Sequence, residues 1–247
     1  MAHPGLVWPV PAGAPITDQP SSALPADRIR GLLFDFDGLL VDTEAGAYRS
    51  WCEIYEEHGH ELLVSDWLAN VGTLDERFDP IQQLESLTGQ TFDRDALLAR
   101  YLERELELSN AEELREGVRD YLEAAKRLGL EVAIVSSAGH AWVLSHVRRL
   151  GVEHVWHSIT CANGDARRAK PAPDLYLEAL EGLRLRPDEA IAFEDSLHGV
   201  QAAKAAGLFC VAVPNPVTAS LALDEADLVV QSLAELPLDE LLRTIAV

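Results

Sequence analysis

Lysine is almost missing from this chain. Of its 247 residues only Lys126, Lys170 and Lys204 are lysines, and Lys and Arg together number 20 against 41 Asp and Glu. The resulting formal charge of -21 repels nucleic acid and anionic membranes, so neither is expected as a partner. An anionic ligand would need local positive charge, which makes a lysine beside a motif informative. Cysteine is as scarce. Cys52, Cys161 and Cys210 are odd in number and scattered, which excludes a disulfide framework or a metal knuckle and fits a reducing, cytoplasmic setting. No window approaches the roughly 18 apolar residues of a membrane span. No Gly-x-Gly-x-x-Gly loop is present to hold a dinucleotide, and no internal repeat is visible. Residues 1–27 carry six of the 13 prolines and lack an apolar core behind basic residues, so they read as a flexible or surface-hugging extension and not as a secretory signal.

What is present is a chain 48% hydrophobic, long enough for one α/β domain and a smaller insert. Its organising stretch is residues 31–44, Gly-Leu-Leu-Phe-Asp-Phe-Asp-Gly-Leu-Leu-Val-Asp-Thr-Glu. The apolar run is too short for a helix and reads as a buried strand that delivers Asp35 and Asp37 at its C-terminal end, where open α/β sheets place their chemistry. A turn at Gly38 would free backbone N–H groups to meet an anion. After Glu44 the period becomes helical. Tyr48, Trp51, Cys52 and Tyr55, then Ile81, Leu84 and Leu87, then Leu97, Leu98, Tyr101, Leu102 and Leu106 predict an all-helical insert over 46–111 whose Trp and Tyr residues form a small core of its own.

The rest alternates. Helices are predicted over 117–128, 140–150, 175–183 and 199–206, and strands over 130–135, 155–160, 190–193, 208–213 and 228–230. This order predicts a doubly wound parallel sheet with right-handed crossovers, its core built from 28–45 and 112–247. Polar groups gather at the strand ends and helix starts: Ser136-Ser137-Ala138, Lys170 before Pro171-Ala172-Pro173-Asp174, and Glu194-Asp195-Ser196. An isolated Asp-x-Asp-Gly fits an ordinary strand and turn. Four such clusters in order are more specific.

Asp35-Phe36-Asp37-Gly38, Ser136, Lys170 with its Pro-Ala-Pro-Asp, and Glu194-Asp195 together resemble the four motifs of the haloacid dehalogenase superfamily, in its phosphatase and phosphomutase branch. The run from Glu194 through Gly199, Ala203 and Gly207 is similar to the subgroup of β-phosphoglucomutase and small sugar-phosphate phosphatases. The match covers about residues 30–215. It implies a Rossmann-like α/β core with an inserted α-helical cap domain, a Mg²⁺ cofactor and a small phosphorylated substrate, handled by a monomer or weak dimer. By the same resemblance Asp35 is the nucleophile, Ser136 and Lys170 are catalytic, and the metal is held by Asp35, the Asp37 carbonyl, Asp195 and Glu194.

The chemistry agrees with that assignment. Phosphate monoesters resist hydrolysis, so a site must supply a nucleophile, neutralise the phosphoryl charge and protonate the leaving alkoxide. Asp37 can do the last as general acid and then base. Dehalogenases of the superfamily lack this second Asp and its cation pumps carry Thr there. Ser137 and Ala138 would add N–H groups before a helix N-terminus, and Glu44, Gly72 and Arg77 are the cap-side residues expected to face the substrate. Two departures favour hydrolysis over the alternative, a phosphomutase. Ala47 stands where β-phosphoglucomutase has a histidine, and Asp75 stands near the place of its cap arginine. A binding protein that lost catalysis would not keep every expected catalytic residue. His198 is expected as an exposed helical residue.

Overall fold

A computed structural model describes residues 28–74 and 78–245. The proline-rich extension at 1–27 and the cap residues Asp75 and Arg77 lie outside the described residues. Six parallel strands form one sheet in the order β3-β2-β1-β4-β5-β6: β1 Gly31–Phe34, β2 Glu131–Ser136, β3 Ser158–Cys161, β4 Ala190–Glu194, β5 Phe209–Ala212 and β6 Leu228–Val229. Gly31 pairs with Glu131 on one side and Ala190 on the other, and Phe34 with Ile134 and Phe193. The ends of β1, β2 and β4 are therefore level. Asp35, Ser136 and Asp195 emerge side by side.

The period of two in the strands separates the faces. Leu32, Phe34, Ile134, Ile191, Phe193 and Val211 pack against α5 (Val118–Leu128), α6 (His140–Arg149) and α9 (Leu238–Thr244). Leu33, Ala133, Val135, Ala190, Ala192, Cys210 and Ala212 face α7 (Asp174–Leu183) and α8 (Leu197–Ala205), where the small side chains let the helices approach closely. Phe34 stacks on Phe193 at 4.7 Å and the Tyr121 ring meets Phe193 edge-on at 5.5 Å, so the centre of the first face is aromatic.

Between β1 and β2 the chain makes four helices: α1 Thr43–Glu57, α2 Val64–Trp67, α3 Pro80–Thr88 and α4 Arg94–Ala111. This inserted cap has the small core expected of it, with Tyr48, Trp51, Tyr55 and Trp67 buried around Ile54, Leu62 and Leu84. Trp51 stacks on Tyr101 at 5.0 Å, and Arg104 reaches Glu53 at 2.8 Å across α1 and α4. Other leucines of the predicted apolar face of α4 do not enter that core. Leu98, Leu102 and Leu106 are 41%, 56% and 45% exposed, because α4 meets α1 through the side carrying Leu97 and Tyr101.

Three further expectations are corrected, and one helix is added. The first helix of the insert starts before residue 46, since Thr43, Glu44 and Ala45 already form the first turn of α1, with Asp42 accepting from the Ala45 N–H at 3.3 Å. The return segment runs antiparallel beside the outgoing chain through a bridge of Val41 with Leu114. The third strand starts three residues later than predicted, because Glu153–Val155 turn as a 3₁₀ helix. His198 is half-buried, not exposed, and its Nδ1 pairs with the Val71 carbonyl at 2.9 Å. The last helix, α9, had no prediction. Among the described residues no helix is long and apolar enough to cross a membrane.

Phe193→Ala would open the centre of the aromatic face. It is expected to cost about 3–5 kcal/mol of unfolding free energy, measured by denaturant titration. A loss below about 1 kcal/mol would mean that the sheet and α5 close over the gap.

Candidate active site

β1 ends at Phe34, and the next residue, Asp35, is buried against Lys170. The Lys170 ammonium, itself only 2% exposed, forms an ion pair with Asp35 Oδ1 and a second with Glu194 Oε1 at 2.7 Å. It also lies 5.5 Å from the centre of the Tyr176 ring, whose hydroxyl donates to the same Glu194 oxygen. Three of the four motifs, far apart in the chain, thus meet at one buried point. Burial alone would lower the lysine, but attraction to Asp35 and Glu194 outweighs it and holds Lys170 above its usual value. Burial pushes Asp35 up to about 8 in the absence of a metal, against the pull of Lys170 and with a push from Glu194 and Asp37. Asp195 is raised well above the ordinary carboxylate range by burial and by the Asp35, Glu44 and Glu194 charges.

The backbone makes room for this crowding at Gly38. Its φ is +81°, and a side chain there would run into the Asp195 carboxylate and the Asn215 amide. Asn215 Nδ2 donates to Asp195 Oδ2 at 2.6 Å and is itself fixed, its Oδ1 accepting from Val217 and Thr218 N–H groups. Arg115, half-buried and with its pKa lowered by desolvation, donates to the carbonyls of Gly38, Val213 and Pro214 and so ties the loop after β1 to the loop after β5.

Asp37 stands above Asp35. Its Oδ1 accepts from Thr43 Oγ1 and from Trp142 Nε1, both at 2.8 Å, and its Oδ2 accepts from Ser136 Oγ at 3.2 Å. Ser136 Oγ also takes the Ala138 N–H at 3.0 Å, so that N–H is engaged within the turn. Ser137 bridges core and cap, its hydroxyl donating to the Gly72 carbonyl at 3.2 Å and accepting from the Lys170 N–H at 3.2 Å. Gly72 has φ +77° and lies so close to Ser196 that a Cβ would collide with it.

These residues line a cavity of about 620 Å³. Its inner end is Asp35, Asp37, Ser136, Ser137 and Ala138, and its outer walls bring Glu44 and Ala47 from α1, Gly72 to Leu74 from the cap loop, Leu102, Glu105 and Leu106 from α4, and Trp142 from α6. Burial raises Glu44 to about 8, with further push from Asp37, Asp35 and Glu105. Burial likewise raises Glu105 to about 7. The sequence reading missed Glu105, Trp142, Thr43, Arg115 and Asn215. Glu105 and Trp142 sit on helices where a charge and an apolar ring are ordinary, and only the docking of α4 and α6 over the strand ends turns them to the cavity.

The residues fit a divalent cation. Asp35, Glu194 and Asp195 can each offer an oxygen with all three within 4.8 Å of one another, and Glu194 Oε2 is buried without a hydrogen-bond partner. An all-carboxylate set of this kind suits a hard cation. A family profile described as haloacid dehalogenase-like hydrolase matches residues 29–207, which decides the family. This chain is a haloacid dehalogenase-like hydrolase. Among such hydrolases it is 41% identical over 214 residues to YhcW of Bacillus subtilis, a candidate phosphatase, covering 87% of this chain and 96% of YhcW. It is 29% identical over 196 residues to fructose-1-phosphate phosphatase YqaB of Escherichia coli, covering 76% and 97% of the two chains. CbbY from Rhodobacter sphaeroides, solved in complex with phosphate, superposes with a TM-score of 0.65 at 29% identity over 84% of this hydrolase and 96% of CbbY.

In this hydrolase, freed of metal, Asp35, Glu44 and Glu105 titrate above their ordinary values of 3.8, 4.5 and 4.5. The folded state then binds more protons than the unfolded chain from about pH 4 to about pH 8, so the stability these groups contribute is full below that window and lost as pH rises through it. The melting temperature in chelator is expected to fall from about pH 5 to about pH 8, and Glu105→Gln to flatten the fall near pH 7. A melting temperature that climbs across this range would contradict the raised values.

Proposed function

We propose that this hydrolase is a Mg²⁺-dependent phosphatase of a small phosphorylated metabolite, a sugar or sugar-like phosphate monoester, with Asp35 as its nucleophile. The observation that carries the reading is the position of Asp35 between the Lys170 ammonium and the Glu194–Asp195 pair, at the inner end of a cavity far larger than a phosphate group. Bound through Asp35, the Asp37 carbonyl, Asp195 and Glu194, Mg²⁺ would supply the positive charge that lets a carboxylate approach a phosphate dianion. Lys170 adds a fixed positive charge that water cannot screen. Ser136 and Ser137, where β2 gives way to α6, hold the phosphoryl oxygens in front of a helix N-terminus, the Ala138 N–H being already taken by Ser136 Oγ.

A carboxylate oxygen of Asp35 attacks phosphorus while the bond from phosphorus to the organic oxygen breaks, and Asp37 gives its proton to that oxygen. Water then attacks phosphorus, Asp37 takes its proton, and Asp35 is released with inorganic phosphate. One slow displacement becomes two faster ones. The organic part lies against Glu44 and Glu105, whose carboxyl groups exchange hydrogen bonds with hydroxyls, and against Leu102 and Leu106, which suit the apolar face of a sugar ring. Ala47 offers the cavity only a methyl group, which favours release of phosphate over its transfer to a second hydroxyl by a phosphomutase. Cys161 and Cys210, buried free thiols, are consistent with a cytoplasmic protein.

Asp35→Asn, or excess chelator with the native protein, is expected to abolish phosphate release from phosphorylated sugars while the melting curve stays cooperative. Undiminished release in either case would remove Asp35 or the metal from the reaction. Exchange of residues 72–77, or Glu44→Gln and Glu105→Gln together, is expected to reorder a panel of sugar phosphates while the metal requirement and the need for Asp35 persist. An unchanged order would put the choice of substrate outside the cap.

A further inference from the structure

We propose that Trp142 is a positioning residue for Asp37 and that it decides which oxygen carries the proton: Oδ1 remains an acceptor, and Oδ2 gives the proton to the leaving group and takes it back from water. This rests on the reading of Asp37 as the acid and base of phosphate-ester cleavage. Oδ1 accepts from two donors at 2.8 Å, the Thr43 hydroxyl and the Trp142 indole N–H. A hydroxyl can turn round and accept, but an indole N–H is a donor only. A proton on Oδ1 would therefore face the indole hydrogen and cost that bond. Oδ2 has a different neighbour. Among the described residues it meets only the Ser136 hydroxyl, at 3.2 Å, which can accept as well as donate and so tolerates a protonated Oδ2.

The indole is held where it can impose this choice. It sits near the start of α6, its ring packs against His146 with centroids 4.3 Å apart, and it lines the same cavity as Asp37 and Ser136. In the first step the proton leaves Oδ2 for the departing organic oxygen as the Asp35–phosphorus bond forms. In the second the proton of the attacking water returns to Oδ2 as that bond breaks. The Trp142 N–H stays on Oδ1 throughout, so both transfers use one atom and the carboxylate need not rotate between them.

The test compares two esters. An unactivated alkyl phosphate such as glycerol 2-phosphate needs its leaving oxygen protonated, whereas p-nitrophenyl phosphate, which departs as a stable phenolate, needs this far less. For Trp142→Phe, kcat/KM is expected to fall roughly tenfold further with the alkyl ester than with the aryl ester, the size of one hydrogen bond to a charged group. Trp142→His, which restores a ring N–H, is expected to return the ratio between the two esters to its native value. An equal loss with both esters would make Trp142 a wall of the cavity and overturn the proposal, as would no loss at all. Thermal melting checks that the Phe variant folds. Were it not folded, the His variant must still keep the native ratio between the two esters, and a ratio shifted against the alkyl ester overturns the proposal. Failure of the phosphatase reading itself is seen separately, as no phosphate released from either ester by the native protein.

Discussion

The ion pair of Lys170 with Asp35 is the interaction on which the rest of the site depends. Asp35, Glu194 and Asp195 converge on a buried point, and carboxylates so placed repel one another in a medium that screens poorly. The Lys170 ammonium touches two of the three and is the buried cation that holds them together. Its own position comes from the segment after β3, where its N–H is received by Ser137 at the end of β2. Charge balance remains incomplete with one ammonium against three carboxylates. The raised values of Asp35 and Asp195 express that deficit, and a divalent cation is the natural means of removing it.

Geometry is delivered by the sheet. Parallel pairing with Gly31 opposite Glu131 and Ala190 sets the ends of three central strands at one level, so the acids need no long loops to reach one another. The cap is secured to this platform at specific points. Ser137 holds the Gly72 carbonyl, His198 holds that of Val71, and Val217 of the core packs into the cap cluster. Ser137 thus contacts both the cap loop and the Lys170 backbone, which places closure of the cavity and the position of the buried cation on one hydroxyl.

Much of this was legible beforehand. Local periodicity is enough to locate the strand 31–34 and the Ala190 strand, because a run buried on both faces has a composition unlike any surface segment. The acids Asp35, Asp37, Glu194 and Asp195 were readable because strand ends in such sheets are where polar residues would otherwise be wasted, and Lys170 because so few lysines compete with it. Element ends were less legible. The start of α1 at Thr43 and of β3 at Ser158 depend on capping and on a 3₁₀ turn, which are settled by a single hydrogen bond or two.

The sequence by itself determined the class of fold and the helical insert, and it singled out the acids and the lysine that the structure brings together, since each follows from local pattern and from short motifs. Only the tertiary structure decided which ordinary residues join them. Trp142, Glu105, Arg115 and Asn215 lie on helices and loops whose local sequence is compatible with a core ring, a solvated charge or a turn. Their roles arise from contacts across long stretches of chain: Trp142 to Asp37, Arg115 to the carbonyls of Gly38 and Pro214, Asn215 to Asp195. No periodicity encodes such a contact, because it depends on how two elements dock and not on the pattern within either one.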